Sequence, residues 1–566
     1  MMGSTGAERT AKCVFLVAFC SVCQALQGGM LFPTESPSRE VKDTGPVIDM
    51  PVPSSYNDIT QDVKIRDFIG WVWYEKDVWV PARWIQDRGT RIVLRVGSAH
   101  YYSVLWVNGV KMTEHVGGHL PFEADISSVL RQSNANPCRI TIAVNNTLTL
   151  ETLPPGTIQY MNDRTRYPAG YFVQNINFDF FNYAGIHRSV LLYTTPNAHI
   201  DDVTVETTFS DNIGLVSYNV SVLGSSKPAV KVTLSAQDGR CVASADGTRG
   251  VLKITDVNLW WPYLMHENPA YLYSMEIRGK GFDWPLLVKD FNLMKWMGAN
   301  SFRTSHYPYA EEVLQMADRH GIVIIDECPG VGIKDIRSFG NVSLAHHLTV
   351  MEELVRRDKN HPSVVMWSVA NEPASEMQPA GFYFKELVSH TKSLDSTRPV
   401  TYITDSNYAR DQGAPYVDVI CVNSYFSWYH DPGHTEIISI QLNTQFDNWY
   451  GKYQKPIIQS EYGADAVPGL HSDPPMMFTE EYQKTVLQNY HNVFDQKRKQ
   501  FVIGELIWNF ADFMTAQTIT RVVGNKKGIF TRQRQPKAGA FLLRERYWRI
   551  ANETGVLPTW ARYPCQ

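Results

Sequence analysis

Two glutamates, Glu372 and Glu461, stand where the sequence could support acid–base and nucleophilic chemistry. Each directly follows a hydrophobic run that is typical of a buried strand. Two carboxylates in one site suit the cleavage of a glycosidic bond, because one donates a proton while the other attacks or activates water. An acid at the end of a barrel strand can also form only a salt bridge, and position alone leaves that alternative open.

Other polar residues follow hydrophobic runs in the same part of the chain. In a (β/α)8 barrel, residues just beyond the C-terminal ends of the strands face the active site. The segments with this property would form one crowded polar mouth, and they are Arg303-Thr304-Ser305-His306, Asp326-Glu327, Asn371-Glu372-Pro373, Asn423-Ser424-Tyr425, Ser460-Glu461-Tyr462 and Trp508-Asn509.

The elements that would position these residues begin near residue 278, where helical and strand patterns start to alternate. Helices are predicted from Asp283 to Gly298 and from Tyr309 to His320. Residues 278–550 have the length of a TIM barrel, but a full barrel needs eight strands. Either Tyr271 to Ile277 supplies the first strand or that strand is missing, because the pattern shows seven candidates, at 299–302, 322–325, 363–367, 400–403, 417–422, 456–459 and 501–508.

The part of the chain before the barrel is predicted to be all-β. Alternating runs punctuated by Gly and Pro indicate a jelly-roll domain over residues 28–196. Residues 197–277 continue the pattern and favour an immunoglobulin-like sandwich, which at about 80 residues is shorter than the usual ~100. Residues 551–566 are assigned to a C-terminal tail.

Composition and the N-terminus place the chain among secreted globular proteins. The 566 residues carry a net charge of -4 and are 44% hydrophobic, which excludes global disorder and argues against a general nucleic-acid binder. Residues 1–25 have the pattern of a secretory signal peptide, with basic Arg9 and Lys12 before an apolar run from Cys13 to Cys23. A retained anchor is the alternative, although the run is too short to span a membrane.

The cysteines and histidines form no metal or redox motif. Outside the signal segment the cysteines are scattered and odd in number, without a C-x-x-C pair, and H-E-x-x-H does not occur. Neither a disulfide framework nor a metal site is therefore expected. Four sequons are candidate glycosylation sites in a secreted chain, at Asn145, Asn219, Asn341 and Asn552.

Two long motifs resemble the signatures of glycoside hydrolase family 2. One runs from Asn300 through Arg303-Thr304-Ser305-His306 to Ile325, and the other from Asp358-Lys359-Asn360-His361-Pro362 to Asn371-Glu372. Three further segments are similar to a subgroup that removes glucuronic acid in animal lysosomes: Asp179 to Gly185, Gln459 to Ala464 and Gly524 to Gly528. The resemblance covers nearly the whole chain and implies a jelly-roll sugar-binding-like domain, an immunoglobulin-like sandwich and a TIM barrel, in that order.

The resemblance also implies a role for residues of the barrel mouth. Glu372 would be the general acid/base and Glu461 the nucleophile of a retaining mechanism, which needs carboxyl groups about 5–5.5 Å apart. Glu372 must begin protonated, so a pKa raised by burial and by the charge of Glu461 is expected. Arg303 would supply positive charge to Glu461, Tyr425 would donate a hydrogen bond to it, and Asn371 would hold the 2-OH of the sugar.

Substrate choice is assigned by the same resemblance to Asn525 and Lys527, which would bind the C6 carboxylate of a uronic acid. An ammonium beside an amide donor favours a carboxylate over a neutral CH2OH group, and a solvated turn is the alternative for this loop. Asp179 would reach from the jelly-roll to sugar hydroxyls, unless it is a turn residue. Trp508 would wall the sugar site and His306 its edge, with a structural role as the alternative for each.

The implied function is retaining hydrolysis that removes terminal β-D-glucuronic acid from glucuronides and glycosaminoglycan fragments, with neither a metal nor an organic cofactor. The implied location is the lysosome, reached through the secretory pathway, and the implied assembly is a homotetramer. A β-galactosidase or β-mannosidase relative is a weaker alternative, because Asn525 and Lys527 argue against a neutral sugar.

The chain is shorter than the family pattern in two places. Between Glu40 and Asp49, eight residues stand where the family carries a longer stretch. Between Glu276 and Ile277, the family has the last sandwich strands, the first barrel strand and a loop containing His, Glu and Asp. An unclosed barrel exposes two strand edges, so a second hypothesis is a catalytically inactive, misfolded or subunit-associating splice isoform.

Overall fold

The jelly-roll region consists of antiparallel sheets, as its alternating apolar pattern predicts. The computed structural model describes residues 19–24, 47–133, 137–224, 230–275, 284–554 and 557–558. The elements of this region are β1 (Phe19–Gln24), β2 (Val47–Pro51), α1 (Val63–Arg66), β3 (Trp71–Val78), α2 (Ala82–Gln86), β4 (Thr90–Val96), β5 (Tyr102–Val107), β6 (Val110–Val116), β7 (Phe122–Asp125), α3 (Ser127–Ser133), β8 (Cys138–Asn145), β9 (Gly156–Tyr160), β10 (Phe172–Ile176) and β11 (Val190–Pro196).

Two of these sheets enclose the core of the first domain. Strands β2-β1-β3-β8-β5-β6 form one sheet and β11-β4-β7 form the other. Tyr74, Leu105 and Ile142 of the first sheet pack against Leu94 of the second, and all four side chains are buried. Strand β1, which pairs with β2 and β3, lies within the stretch that the sequence assigns to a signal peptide.

A smaller β-sandwich follows. It contains β12 (His199–Ser210), β13 (Ile213–Leu223), β14 (Lys231–Ser235), β15 (Cys241–Asp246), β16 (Arg249–Thr255) and β17 (Ser274–Met275), arranged as β12-β13-β16 and β15-β14-β17. Tyr218 and Leu252 of the first sheet share a buried cluster with Leu234 of the second. Strand β17 pairs with β14, so the described part of Tyr271 to Ile277 belongs to the sandwich and supplies no barrel strand; residues 276–277 lie outside the described ranges.

The third region alternates strands and helices. Its strands are β18 (Ser301–Arg303), β19 (Val323–Glu327), β20 (Val364–Asn371), β21 (Val400–Thr404), β22 (Ile420–Asn423), β23 (Ile457–Glu461) and β24 (Val502–Glu505). Its α-helices are α4 (Trp284–Met297), α5 (Glu311–His320), α6 (Asn341–Asp358), α7 (Gln378–Leu394), α8 (Ile438–Tyr453), α9 (Glu480–Lys497) and α10 (Ala538–Glu553).

Burial and capping explain these elements. All five residues of β21 and of β23 are buried, as expected for parallel strands covered on both faces. Helix α5 buries Leu314 and Ala317, and Gly321 ends it with a positive φ of 68°. None of the helices in the described ranges is long and apolar enough to cross a membrane.

The barrel is open on one side in the part that the structure describes. The strands form one parallel sheet in the order β18 to β24, which confirms the seven strands read from the sequence. Within the described ranges no ladder joins β18 to β24. A cavity of about 790 Å3 lies between them, and it is lined by residues from both edges and from the helices behind, including Phe291, Phe302, Ile507, Trp508 and Tyr547. We call this region the seam.

Hydrogen exchange should report the open seam. Backbone amides of β18 and β24 are expected to exchange with deuterium at least about ten-fold faster than those of the central strand β21, because one edge of each has no ladder partner. Strand β22, which is also central, serves as the control and should match β21. Equal protection of β18, β24 and β21 would show that another segment closes the barrel.

Candidate active site

A cavity of about 1,080 Å3 opens at the C-terminal ends of the barrel strands. Its wall contains both Glu372 and Glu461 and includes a loop of the jelly-roll. The sequence-predicted residues that line it are Asp179, His306, Asn371, Glu372, Tyr425, Glu461 and Trp508, while Arg303, Asn525 and Lys527 contact members of this set. All ten side chains therefore lie in or against one cavity.

Glu461 ends β23 and is 4% exposed. Its Oε1 accepts a hydrogen bond from Arg303, and its Oε2 accepts one from the hydroxyl of Tyr425. The Arg303 guanidinium also donates to Oε1 of Glu327 at 2.6 Å and to Oδ1 of Asn371 at 3.4 Å. Glu461 thus has a positive charge against one oxygen and a hydroxyl donor against the other, which suits a carboxylate that acts in its ionised form.

Glu372 follows β20 and has a different environment. Its backbone adopts a left-handed conformation with a φ of 43°, which is uncommon for a residue with a side chain and is found at functional sites. Its Oε1 accepts a hydrogen bond from Nδ2 of Asn423 at 2.7 Å. Burial raises the pKa of Glu372 to about 8, and the neighbouring charge of Glu461 adds to this effect. Glu372 is therefore a carboxyl group that holds its proton at neutral pH.

Lys527 is fully buried and is surrounded by three aromatic rings, of which Tyr429 is partly exposed. Its Nζ is 4.7 Å from the ring centres of Trp428 and Tyr429 and 5.5 Å from that of Tyr425. The ammonium forms an ion pair with Asp465, which is equally buried. Burial lowers the pKa of Lys527 to about 7, while the carboxylate of Asp465 opposes the decrease. Because Asp465 offsets only part of the cost of burial, a second anion close to the Lys527 ammonium would stabilise its charged form further.

Asp179 connects the jelly-roll to this cation site. Its carboxylate accepts hydrogen bonds from Nε of Arg521 at 2.8 Å and from Thr515. Nδ2 of Asn525 lies 3.4 Å from the same carboxylate, and Oδ1 of Asn525 accepts a bond from the backbone N–H of Lys527 at 2.9 Å. The cations Lys527 and Arg521 and the amide of Asn525 thus lie together beside the active-site cavity. Their anionic partner Asp179 comes from another domain.

His306 and Trp508 line the active-site cavity where it meets the seam, at the C-terminal ends of the strands. Their ring centres are 4.9 Å apart, and Cζ of Arg303 lies 5.9 Å from the Trp508 ring. Nδ1 of His306 lies 3.5 Å from Oε1 of Glu327.

Three residues of this arrangement were not singled out from the sequence: Asp465, Arg521 and Tyr429. Asp465 lies four residues after Glu461 in the same strand-end loop, and that position could have indicated it. Tyr429 follows Tyr425 at helical spacing, which is a weak indication. No local pattern marks Arg521, because its partner Asp179 is remote in the sequence.

The described cysteines Cys138, Cys241, Cys328 and Cys421 are free thiols, and Cys565 lies outside the described residues. In the ranges that the structure covers, no cluster of three or more His, Cys, Asp or Glu side chains could hold a metal ion. The chemistry open to the described residues is that of two carboxyl groups with different partners in a shared cavity, one of which, Glu372, has a raised pKa.

Two family models match the chain. The model described as "Glycosyl hydrolases family 2, sugar binding domain" matches residues 47–196, and "Glycosyl hydrolases family 2, TIM barrel domain" matches residues 273–552. The beta-glucuronidase of Mus musculus is 60% identical over 624 aligned residues that cover 96% of each chain. That alignment is longer than the 566 residues of this chain, so the mouse protein has residues within it that are without a counterpart here.

Solved structures of beta-glucuronidases also match nearly the whole chain. The beta-D-glucuronidase of Dictyoglomus thermophilum matches with a TM-score of 0.84 at 42% identity, covering 96% of this chain and 98% of that one. The b-glucuronidase from Ruminococcus gnavus in complex with C6-substituted uronic isofagomine matches with a TM-score of 0.83 at 33% identity, covering 96% and 99%. Both family models, the sequence identity and the shared fold lead to one conclusion: the chain belongs to glycosyl hydrolase family 2.

Proposed function

We propose that the chain is a retaining glycoside hydrolase that removes terminal β-D-glucuronic acid from glucuronides and glycosaminoglycan fragments. The observation that carries this proposal is the caged Lys527, with Asn525 and Arg521, beside the Glu372 and Glu461 pair. A neutral sugar would leave these cations without a new partner, whereas a uronic acid supplies a carboxylate. The relatives support the proposal as well, because they are beta-glucuronidases and the structure of one of them contains a uronic isofagomine.

The first half of the proposed reaction forms a glycosyl-enzyme. Glu461 attacks the anomeric carbon while Glu372 donates its proton to the departing glycosidic oxygen. Arg303 and Tyr425 hold the two oxygens of Glu461 and so aim the attacking one. Asn371, held by Arg303 at 3.4 Å, is placed for the 2-OH of the sugar, where contacts strengthen in the transition state.

The second half uses the same two groups in new roles. Once Glu461 is esterified it loses its negative charge, and that charge is one of the causes that raise the pKa of Glu372. Glu372, having given up its proton, then acts as a base on water, which attacks the anomeric carbon and releases glucuronic acid with the β configuration retained. The change in charge on Glu461 thus changes Glu372 from an acid to a base.

Two alternatives are less well supported. A galactosidase or mannosidase substrate would place a neutral substituent near Lys527, whose anionic partner would then be Asp465 alone, without a second one from the substrate. An inactive, misfolded or subunit-associating isoform is not favoured, because Arg303, Glu327 and Glu461 make their contacts although the barrel is open. The direct test is release of nitrophenol from an aryl β-glucuronide by the purified chain; turnover of the matching β-galactoside alone would refute the proposal.

The processing, location, assembly and domain boundaries of the enzyme belong to the same proposal. We infer a signal peptide over residues 1–25, a lysosomal destination, a homotetramer, and domains at 28–196, 197–277 and 278–550 with a tail at 551–566. Asn219, Asn341 and Asn552 are exposed, which supports N-glycosylation at their sequons, whereas Asn145 is half-buried. Asp179, which contacts Arg521, gives the first domain a part in the substrate site.

Substitution of the two carboxylates should separate their roles. Glu461→Gln is expected to lower kcat at least about 10³-fold on every glucuronide, because the nucleophile is lost. Glu372→Gln should cost about 10²–10⁴-fold on a poor leaving group and much less on an activated aryl glucuronide, which needs little protonation. Glu376→Gln, an exposed acid four residues away, is the control. Identical losses for both variants on both substrates would show that the roles are wrongly assigned.

Lys527→Ala tests the sugar specificity. Glucuronide kcat/KM is expected to fall about 10²-fold or more, because the variant loses a buried charge-assisted contact, while residual β-galactoside turnover should change little. Lys526→Ala, at the adjacent and more exposed lysine, is the matched control. Parallel loss on both sugars would mean that Lys527 only supports the fold.

Asp465→Asn tests how Lys527 keeps its charge. Lys527 is charged below its pKa of about 7, so kcat/KM for a glucuronide should fall as the pH rises through that value. Without the Asp465 carboxylate the pKa of Lys527 should be lower still, so the fall should begin at a more acidic pH. Asp465→Glu retains the charge and should keep the profile closer to the original. A profile unchanged in Asp465→Asn would contradict this dependence.

A further inference from the structure

The active-site cavity extends well beyond the space that one sugar ring fills. At about 1,080 Å3 it is as large as sites that hold whole drug-sized ligands. Its outer wall, on the side of Glu372, is formed by residues 405–410 after β21, by one face of α8 and by Lys334 after β19. In the proposed reaction Glu372 protonates the departing oxygen, so the leaving group must lie against this wall.

Polar side chains and cations lie on this outer wall, together with Tyr408, Ile440 and Trp449. Gln441, Thr444, Gln445 and Asn448 of α8 offer amides and a hydroxyl, which suit a sugar better than an apolar ring. Nζ of Lys334 lies 3.0 Å from Oδ2 of Asp405, and both side chains are partly exposed.

Arg410 differs from Lys334 in its pairing. No carboxylate of the described residues lies within ion-pair distance of its exposed guanidinium, and its charge reaches Glu376 only at longer range. The wall therefore presents one arginine that is available to a ligand.

The cations fall into two sets on either side of the carboxylate pair. Lys334 and Arg410 follow β19 and β21, the two neighbours of the strand that carries Glu372. Lys527 and Arg521 follow β24, the last strand, and lie against the ring of Tyr429, which contacts the Glu461 partner Tyr425. A substrate that spans the cavity would thus meet positive charge at both ends.

We propose that residues 405–410 and Lys334 form a leaving-group subsite for a sugar that carries an anionic substituent, a sulfate or a carboxylate, and that Arg410 is its specificity determinant. This inference rests on the proposed function, since it places the leaving group relative to Glu372. Arg410 pairs with the anionic substituent in a bidentate geometry, while the amides of α8 bind the hydroxyls of that sugar. An exposed charge contact of this kind gives a preference of about 5- to 20-fold and weakens as salt is added.

The test compares matched substrates on the full chain. The substrates are 4-nitrophenyl β-glucuronide and disaccharides in which β-linked glucuronic acid is followed by a hexose that is neutral, sulfated or carboxylated. Unsubstituted protein is expected to show a kcat/KM about 5- to 20-fold higher for an anionic disaccharide than for the neutral one, and that ratio should decrease with ionic strength. Comparison of the sulfated with the carboxylated disaccharide shows which anion the subsite prefers.

Arg410→Ala is expected to abolish this preference and to leave turnover of 4-nitrophenyl β-glucuronide within about two-fold. Arg410→Lys should restore part of the preference, because it keeps the charge but loses the bidentate geometry. Arg240→Ala, at an arginine that is 72% exposed in the second domain, controls for a change in overall charge.

Two results would overturn the inference while the proposed function stands. One is glucuronide turnover without a preference for an anionic disaccharide, and the other is an equal decrease on all substrates in Arg410→Ala. Absence of turnover on every β-glucuronide would instead refute the proposed function, and the subsite with it.

Discussion

The site depends above all on one buried guanidinium. Arg303 ends β18 and contacts Glu327 at the end of β19 and Glu461 at the end of β23. Removal of one partner from a buried ion pair typically costs about 3–5 kcal/mol, because it leaves an uncompensated charge. Three strand ends are therefore held in one arrangement by a contact that crosses the barrel interior, and Glu461 takes its orientation from that contact.

This dependence explains how the mouth stays ordered beside the seam. The ladder between β18 and β24 is absent from the described residues, yet the rings of His306 and Trp508, which follow those strands, have centres 4.9 Å apart and are tilted by 36°. Arg303 lies against the same indole ring. Side-chain contacts thus join the two open edges at the end where the chemistry is located, while the cavity of about 790 Å3 lies between the edges.

The apolar pattern of the sequence was sufficient to predict the barrel strands. Parallel strands covered on both faces appear in a sequence as continuous apolar runs, as β21 and β23 do. The pattern also predicted the seven-strand sheet and placed Glu372 and Glu461 together at the C-terminal ends of its strands. It did not predict the anionic partners of Lys527 and Arg521. Asp465 is 62 residues from Lys527 and Asp179 is 342 residues from Arg521, and pairing over such separations is decided by how whole domains pack.

The contact between Asp179 and Arg521 has a consequence for how this protein can evolve. A TIM barrel is usually a self-contained module, whose loops diversify while its neighbours are gained, lost or exchanged. Here a neighbouring domain contributes a carboxylate to the active-site cavity, so exchange of that domain would alter the cavity as well as the surface. Selection must therefore act on the jelly-roll and the barrel as one heritable unit, and recombination between them would seldom preserve both partners of the ion pair.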